Sequence, residues 1–391
     1  MRRSSFSSAA CIGASIVALA GPAAGEPSVT TPVGRFSAYG YVEAYVAHNF
    51  GEPSNGITHA RGFDNRHATF SLANAALGGQ WEAGPVTARL VGQVGSTPAT
   101  YYGAEPVLPG TYATNGSGPA LWRFLQEAYV AYTAPVGRGL RLSAGLFLSP
   151  IGPENLAVHD NPFWSRSNLF FGLPFYHTGA QASYPLTQRL RVTAAVWNGW
   201  NSVVDNNTEK SVSLGFTYGE PAVTASLLYF GGVERAAGAP EGSPVRHLVD
   251  SHVTWTVAAP LSVFVHANAG GEGGRFGPHL WLAGQAGARL ALSSFAAVAG
   301  RVDAFRERPA RTGAGEASPL FWPVEWVSSV TGTVELRPRG PAALRLEVRR
   351  DQAAAPLYFR GAVAGDGSDA APFVPNATEQ TTVTLGVTAW L

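Results

Sequence analysis

Apolar and polar side chains alternate with a period of two through most of this chain. In LRLEVRRDQ (344–352), Leu344, Leu346 and Val348 take one face while Arg345, Glu347 and Arg349 take the other. Successive side chains of a strand point to opposite faces, so this segment predicts a strand with one aliphatic and one ionised side. The same alternation appears in FSAYGYVEAYVAH (36–48), with Val42, Ala44 and Val46 set against Tyr41, Glu43 and Tyr45. It recurs over 68–82, 86–96, 123–133, 139–148, 176–185, 188–199, 210–219 and 222–231. It continues over 246–258, 260–270, 279–292, 295–307, 324–337, 342–352 and 379–391, which makes about sixteen segments. Most have the length that a tilted strand needs to cross a bilayer, roughly 9–11 residues.

The connections alternate between short and long. EAGP (82–85), APVGRG (134–139), YPLTQ (184–188), GEP (219–221), AAP (258–260), LSS (292–294) and RPRGPA (337–342) are tight. Stretches 49–66, 97–121, 149–175, 200–209, 232–245, 271–278, 308–323 and 353–378 are long. With both chain ends on one side, every tight turn falls on that side and every long loop on the other. The predicted fold is therefore all-β, a transmembrane antiparallel up-and-down barrel of about sixteen strands with periplasmic termini. Trp81, Tyr132, Tyr184, Tyr218 and Trp390 lie beside tight turns, as an interfacial aromatic girdle requires. The last strand, TTVTLGVTAWL, keeps an unbroken apolar face to Leu391 and closes the barrel against the first.

The first residues change the picture of where this barrel works. Arg2 and Arg3 precede a short apolar run, and Ala23 and Gly25 suit a cleavage site. We therefore expect a signal peptide over 1–25, a short periplasmic segment over 26–33 and the barrel over 34–391. Cys11, the only cysteine, leaves with the leader, which excludes thiol catalysis and cysteine metal sites. Without Arg2 and Arg3 there remain 25 basic residues against 26 acidic ones, so no bulk charge points to nucleic acid. No HExxH, GxSxG or phosphate loop is present, and no enzymatic role is expected. His247, His252 and His266 are the weak exception as metal ligands; no metal site and no cofactor are expected.

Several phrases carry a family resemblance: GYVEAYVAHNFGEP (40–53), FDNRHATFSLANAALGG (63–79), FLQEAYVAYTAPVGRGLRLSAGLFLSPIGPE (124–154) and SRSNLFFGLPFYHTGAQASYP (165–185). They resemble the OmpL-like β-barrel porins of the porin-2 type. The resemblance implies an outer-membrane channel and no catalytic residues. In general porins the loop after the fifth strand folds into the lumen, so 149–175 is expected to do so here. Glu154, His159, Asp160 and Arg166 are then the candidate constriction residues.

The alternation assigns Glu43, Arg89, Glu127, Arg141, Arg189, Arg191, Asp250, Arg289, Arg301, Asp303, Arg345, Glu347 and Arg349 to the channel lining. Opposed charges of this kind either pair across strands or set a transverse field that favours polar solutes. The expected function is passive diffusion of small hydrophilic solutes and ions across the bacterial outer membrane. The expected partners are outer-membrane lipid, the barrel-assembly machinery and a second copy of the chain as homo-oligomer. A barrel occluded by its loops, acting as scaffold or adhesin, is the alternative, and a soluble secreted β-protein is a third reading.

Overall fold

A computed structural model describes residues 27–110, 115–338 and 340–391. The expected leader lies outside the described residues. Sixteen antiparallel strands form the wall. They are β1 (Gly34–Asn49), β2 (Ser71–Ala83), β3 (Val86–Val94), β4 (Leu125–Ala134), β5 (Leu140–Leu148), β6 (Tyr176–Pro185), β7 (Leu190–Trp197) and β8 (Ser211–Gly219). The second half comprises β9 (Val223–Val233), β10 (Val245–Ala258), β11 (Leu261–Gly274), β12 (Gly277–Ala291), β13 (Ala296–Arg308), β14 (Trp326–Leu336), β15 (Ala342–Ala353) and β16 (Glu379–Trp390). Each pairs with its sequence neighbours, and β16 returns to β1 with Thr382 opposite Asn49 and Trp390 opposite Tyr41. Closure satisfies the edge that hydrocarbon cannot. Among the described residues no helix is long and apolar enough to cross a membrane.

The alternation sorts the wall as the sequence predicts. Val348 is 50 % exposed, whereas Arg345, Glu347 and Arg349 are at most 1 % exposed on the inner side. On β15 the outward apolar run ends at Arg350, which pairs with Glu379 at 2.7 Å on the rim. This marks the upper border of the lipid-facing band.

Four details differ from the sequence expectation. The 271–278 connection is a hairpin, because β11 and β12 stay paired to Gly274 and Gly277. The 97–121 connection carries two short helical turns, Ser96–Tyr101 and Pro119–Trp122. Ser28–Thr31 pairs back on Gly34–Ser37 of β1, so this part of the 26–33 segment extends the wall. Trp390 is not part of the outer girdle: it faces inward and its ring stacks on His159 at 5.0 Å.

The larger difference lies inside. Near the tight turns the inner face is polar, but towards the long loops it becomes apolar. Trp197, Phe230, Leu248, Trp281, Phe305 and Val327 point inward there and are buried. Ile151, Leu169, Leu173, Trp322, Leu357 and Tyr358, all from long connections, pack against them. The long-loop half of the barrel therefore contains a hydrophobic core of its own, where the sequence led us to expect a lumen wetted throughout.

Candidate channel constriction

Residues 149–175 leave β5 and enter the lumen. Pro150, Pro153, Pro162 and Pro174 lack the N–H that a ladder needs, and they keep this stretch out of the sheet. Only two short turns form, Val158–Asp160 and Phe170–Gly172. The remaining backbone groups must find partners elsewhere or pay the full cost of burial. The barrel wall supplies them.

Carboxylates of the wall accept the loop's N–H groups. Val158 donates to Glu43 on β1 at 2.5 Å, and Trp164 and Ser165 donate to Glu347 on β15 at 2.7 and 2.9 Å. The Asn168 backbone N–H donates to Asp303 on β13 at 3.0 Å, and Gly152 donates to Asp250 on β10 at 3.2 Å. Guanidinium groups bind the loop's carbonyls in turn. Arg345 donates to Val158 O at 2.6 Å and Arg301 to Ser165 O at 3.1 Å, while Arg349 donates to Arg166 O. Arg301, Arg345 and Arg349 are paired with Glu154, Glu335 and Asp351, whereas the carboxylates of Glu43 and Glu347 rest on hydrogen bonds from the loop. The loop is thus clamped by alternating acids and arginines on β1, β10, β13 and β15.

Shape complements the charge. Gly386 faces inward on β16, and a Cβ there would lie 2.2 Å from the Trp164 ring, so only glycine lets the loop sit this close. Gly172 makes the matching approach from the loop side, against Phe305.

Of the four candidate constriction residues, two are absorbed by the clamp. Glu154 accepts from Arg301 at 3.0 Å, from Gln285 at 3.1 Å and from Ser167 N at 2.9 Å. Burial works against its charge, yet Arg301 and the Ser167 hydrogen bonds hold the carboxyl below the usual range. Arg166 turns back on its own loop, donating to Asn155 O at 2.9 Å, Trp164 O at 2.9 Å and Leu156 O at 2.6 Å. His159 lies between Tyr41 and Trp390, and burial pushes its imidazole down against the pull of Asp160. Asp160, with its side chain 32 % exposed, is the one that retains substantial access to water.

The predicted lining divides in the same way. Glu43, Asp250, Arg301, Asp303, Arg345, Glu347 and Arg349 bind the loop. Arg89 pairs with Glu127 at 2.8 Å, Arg289 with Glu335 at 3.0 Å, and Arg141 reaches Thr87 at 3.4 Å. Arg191 donates to Ser183 Oγ at 3.3 Å. Arg189 departs from the prediction: its side chain is 65 % exposed at the tight turn, where it pairs with Glu220 at 2.5 Å. It precedes the first residue of β7, so the strand alternation no longer fixes its direction. His247 points to the outer face and bonds Tyr229 at 2.8 Å, away from His252 and His266. His266 instead joins Asp250 at 2.6 Å and Gln285 at 3.0 Å. Among the described residues no group of three His, Cys, Asp or Glu is arranged to hold a metal.

Other loops complete the closure. Arg61, from the first long connection, is buried against Asp64 and donates to Asp351 at 3.2 Å. Glu105 accepts from Tyr176 at 2.7 Å and from Val203 N at 2.9 Å, tying two further loops to β6. Sequence reasoning missed Arg61, Glu105, Gln285 and Gly386, because their partners lie far away along the chain. For Gly386 a signal did exist, a glycine on the inward parity of an otherwise threonine-rich face.

A closed sixteen-stranded barrel with a loop held across its lumen defines an outer-membrane channel protein of the porin class. The chain belongs to the family described as "Putative beta-barrel porin-2, OmpL-like", which it matches over residues 35–390. Among solved structures, the outer-membrane expressed OmpT of Vibrio cholerae superposes with a TM-score of 0.58 at 9 % identity, covering 93 % of this chain and 100 % of that one. An anion-selective porin from Comamonas acidovorans gives 0.56 at 11 % identity, with 91 % and 99 % covered. OprB of Pseudomonas putida gives 0.54 at 10 % identity, with 91 % and 94 % covered. At these identities the likeness concerns the fold alone. A search of curated protein sequences found no match.

Proposed function

We propose that this protein is a passive outer-membrane channel for small hydrophilic solutes, with both termini in the periplasm and the 149–175 loop as its constriction. The observation that carries this reading is the loop clamp itself: four wall strands contribute acids whose shared task is to hold a loop across the lumen. The loop leans on β10, β12, β13, β15, β16 and β1. On the opposite wall, inward polar groups including Arg141, Gln181, Ser183, Thr193 and Thr217 keep partial access to water at the tight-turn end, and the proposed solute path enters there, beneath the apolar layer of Trp197 and Phe230. The same reading takes solutes as the only traffic, needs no cofactor, and assigns β16 to the barrel-assembly machinery as its insertion signal. A homo-oligomer fits it, as one of the OmpT neighbours is described in a trimer form.

The hydrophobic core in the long-loop half favours a second reading, a barrel closed by its loops that serves as a scaffold. Liposome swelling separates the two. Vesicles bearing the refolded barrel should swell in isotonic small sugars and stay intact in large ones. Absence of swelling from a correctly folded, heat-modifiable barrel would favour the scaffold.

A further inference from the structure

The charges at the tight-turn end of the lumen are not balanced, unlike those around the loop. Arg141 is the second residue of β5 and Arg191 the second of β7, both on the inward face. Arg141 lies opposite Ser183 on the intervening strand β6, and Arg191 lies opposite Pro185, so the two arginines flank Ser183. Their polar contacts are with hydroxyls: Thr87 at 3.4 Å for Arg141, and Ser183 at 3.3 Å for Arg191. The Ser183 hydroxyl also accepts from Thr193 at 3.0 Å. Among the described residues neither guanidinium lies within ion-pair distance of a carboxylate. A buried-side arginine normally acquires such a partner, and here two neighbouring ones have none.

A second group stands at the tight-turn ends of β12, β14 and β15. Arg289, Arg337 and Arg345 share one carboxylate, that of Glu335, at 3.0, 3.0 and 2.6 Å. The acids that border the same end are Glu82, which accepts from Gln80 at 2.8 Å, and the partly exposed Asp160 of the loop. Among these described inward-facing side chains, five guanidiniums therefore stand against three carboxylates, while Arg89 with Glu127 and Arg189 with Glu220 cancel as pairs.

We infer that this end of the lumen is an anion-recruiting vestibule and that Arg141 and Arg191 are its specificity-determining residues. The inference rests on the channel reading above and names its substrate class: small hydrophilic anions whose carboxylate or phosphate oxygens fit a guanidinium fork. The vestibule is walled by low-dielectric protein, which focuses the excess positive charge onto the path. At about 0.1 M salt the Debye length is about 10 Å, long enough for the field to reach across the lumen. A potential of one to two kT would enrich monovalent anions roughly three- to sevenfold over bulk and deplete cations by the same factor.

The test is the reversal potential of the full-length protein in a planar bilayer under a tenfold KCl gradient, at low total salt. Wild-type protein should prefer chloride over potassium, and inorganic phosphate added on the tight-turn side should reduce the chloride current. Arg141→Ser with Arg191→Ser should bring the permeability ratio close to one and relieve the phosphate effect. Arg350→Ser, on the outer rim, serves as control and should change neither. Cation preference in the wild type, or an anion preference that survives the double substitution, would overturn the inference while leaving the channel reading intact. A folded barrel that passes no current in any salt overturns both.

Discussion

Replacing Glu347 by alanine isolates the clamp. Its carboxylate accepts the N–H groups of Trp164 and Ser165 from the loop and the hydroxyl of Thr333 from β14, at 2.7, 2.9 and 2.9 Å. Hydrogen bonds to a charged acceptor contribute roughly 1.5–3 kcal/mol each, so the two from the loop hold it by about 3–6 kcal/mol before relaxation. Water entering the vacated space, and the surviving anchors at Glu43 and Asp303, reduce the realised loss. A net loss near 2 kcal/mol would raise the undocked population of the 158–166 segment by roughly thirtyfold. Glu347→Ala should therefore show larger or noisier single-channel steps, together with trypsin cleavage after Arg166, which is only 3 % exposed in the docked loop. Glu347→Gln, which keeps one acceptor oxygen, should fall between the two. Heat-modifiable migration confirms that the barrel itself has assembled. If the conductance and the cleavage pattern of the alanine variant match those of the wild type, Glu347 does not hold the loop.

Other expectations follow from the same geometry. Leu346→Arg, at the centre of the outward apolar run of β15, should impair assembly by roughly 2–4 kcal/mol, whereas Val348→Arg, next to the polar rim at Arg350, should cost less; equal losses in a folding titration would argue against the band as drawn. Gly386→Val should displace Trp164 and reproduce the protease sensitivity of Glu347→Ala, while Gly332→Ala, with nothing within 4 Å of its new Cβ, should be silent in the same digest. Because the folded Glu154 carboxyl titrates below its ordinary value near 4.3, its ion pair with Arg301 contributes in full above that value and is lost only as pH falls through the lower folded one. The Glu154-dependent part of the conductance, read as wild type against Glu154→Gln, should accordingly be flat from pH 7 to 5 and change below about 4; a transition near pH 6 in that difference would contradict it.

The wall was legible because a period of two survives along each strand, and because tight and long connections sort onto opposite ends. The clamp was legible only in part. Glu43, Asp303 and Glu347 read correctly as inward charges, but their alternation could not reveal that their partners are backbone amides of a loop more than a hundred residues away in sequence. The apolar interior was missed for a different reason. Trp197 shares its parity with Arg191 and Thr193, Leu248 with Asp250, and Phe305 with Arg301 and Asp303. Following parity to the strand ends would have exposed this switch. A large apolar residue on the inward parity, at the long-loop end of several strands, marks a place where loops fold in to meet it.

The central claim is that residues 149–175 lie across the lumen of an open barrel and set its conductance. Single-channel recording on the wild type and on a barrel with the loop shortened between Gly152 and Gly172 tests it most directly. The account predicts small, discrete steps from the wild type and markedly larger ones from the shortened barrel, both from heat-modifiable protein. Equal step sizes, or silence from both folded barrels, would contradict it.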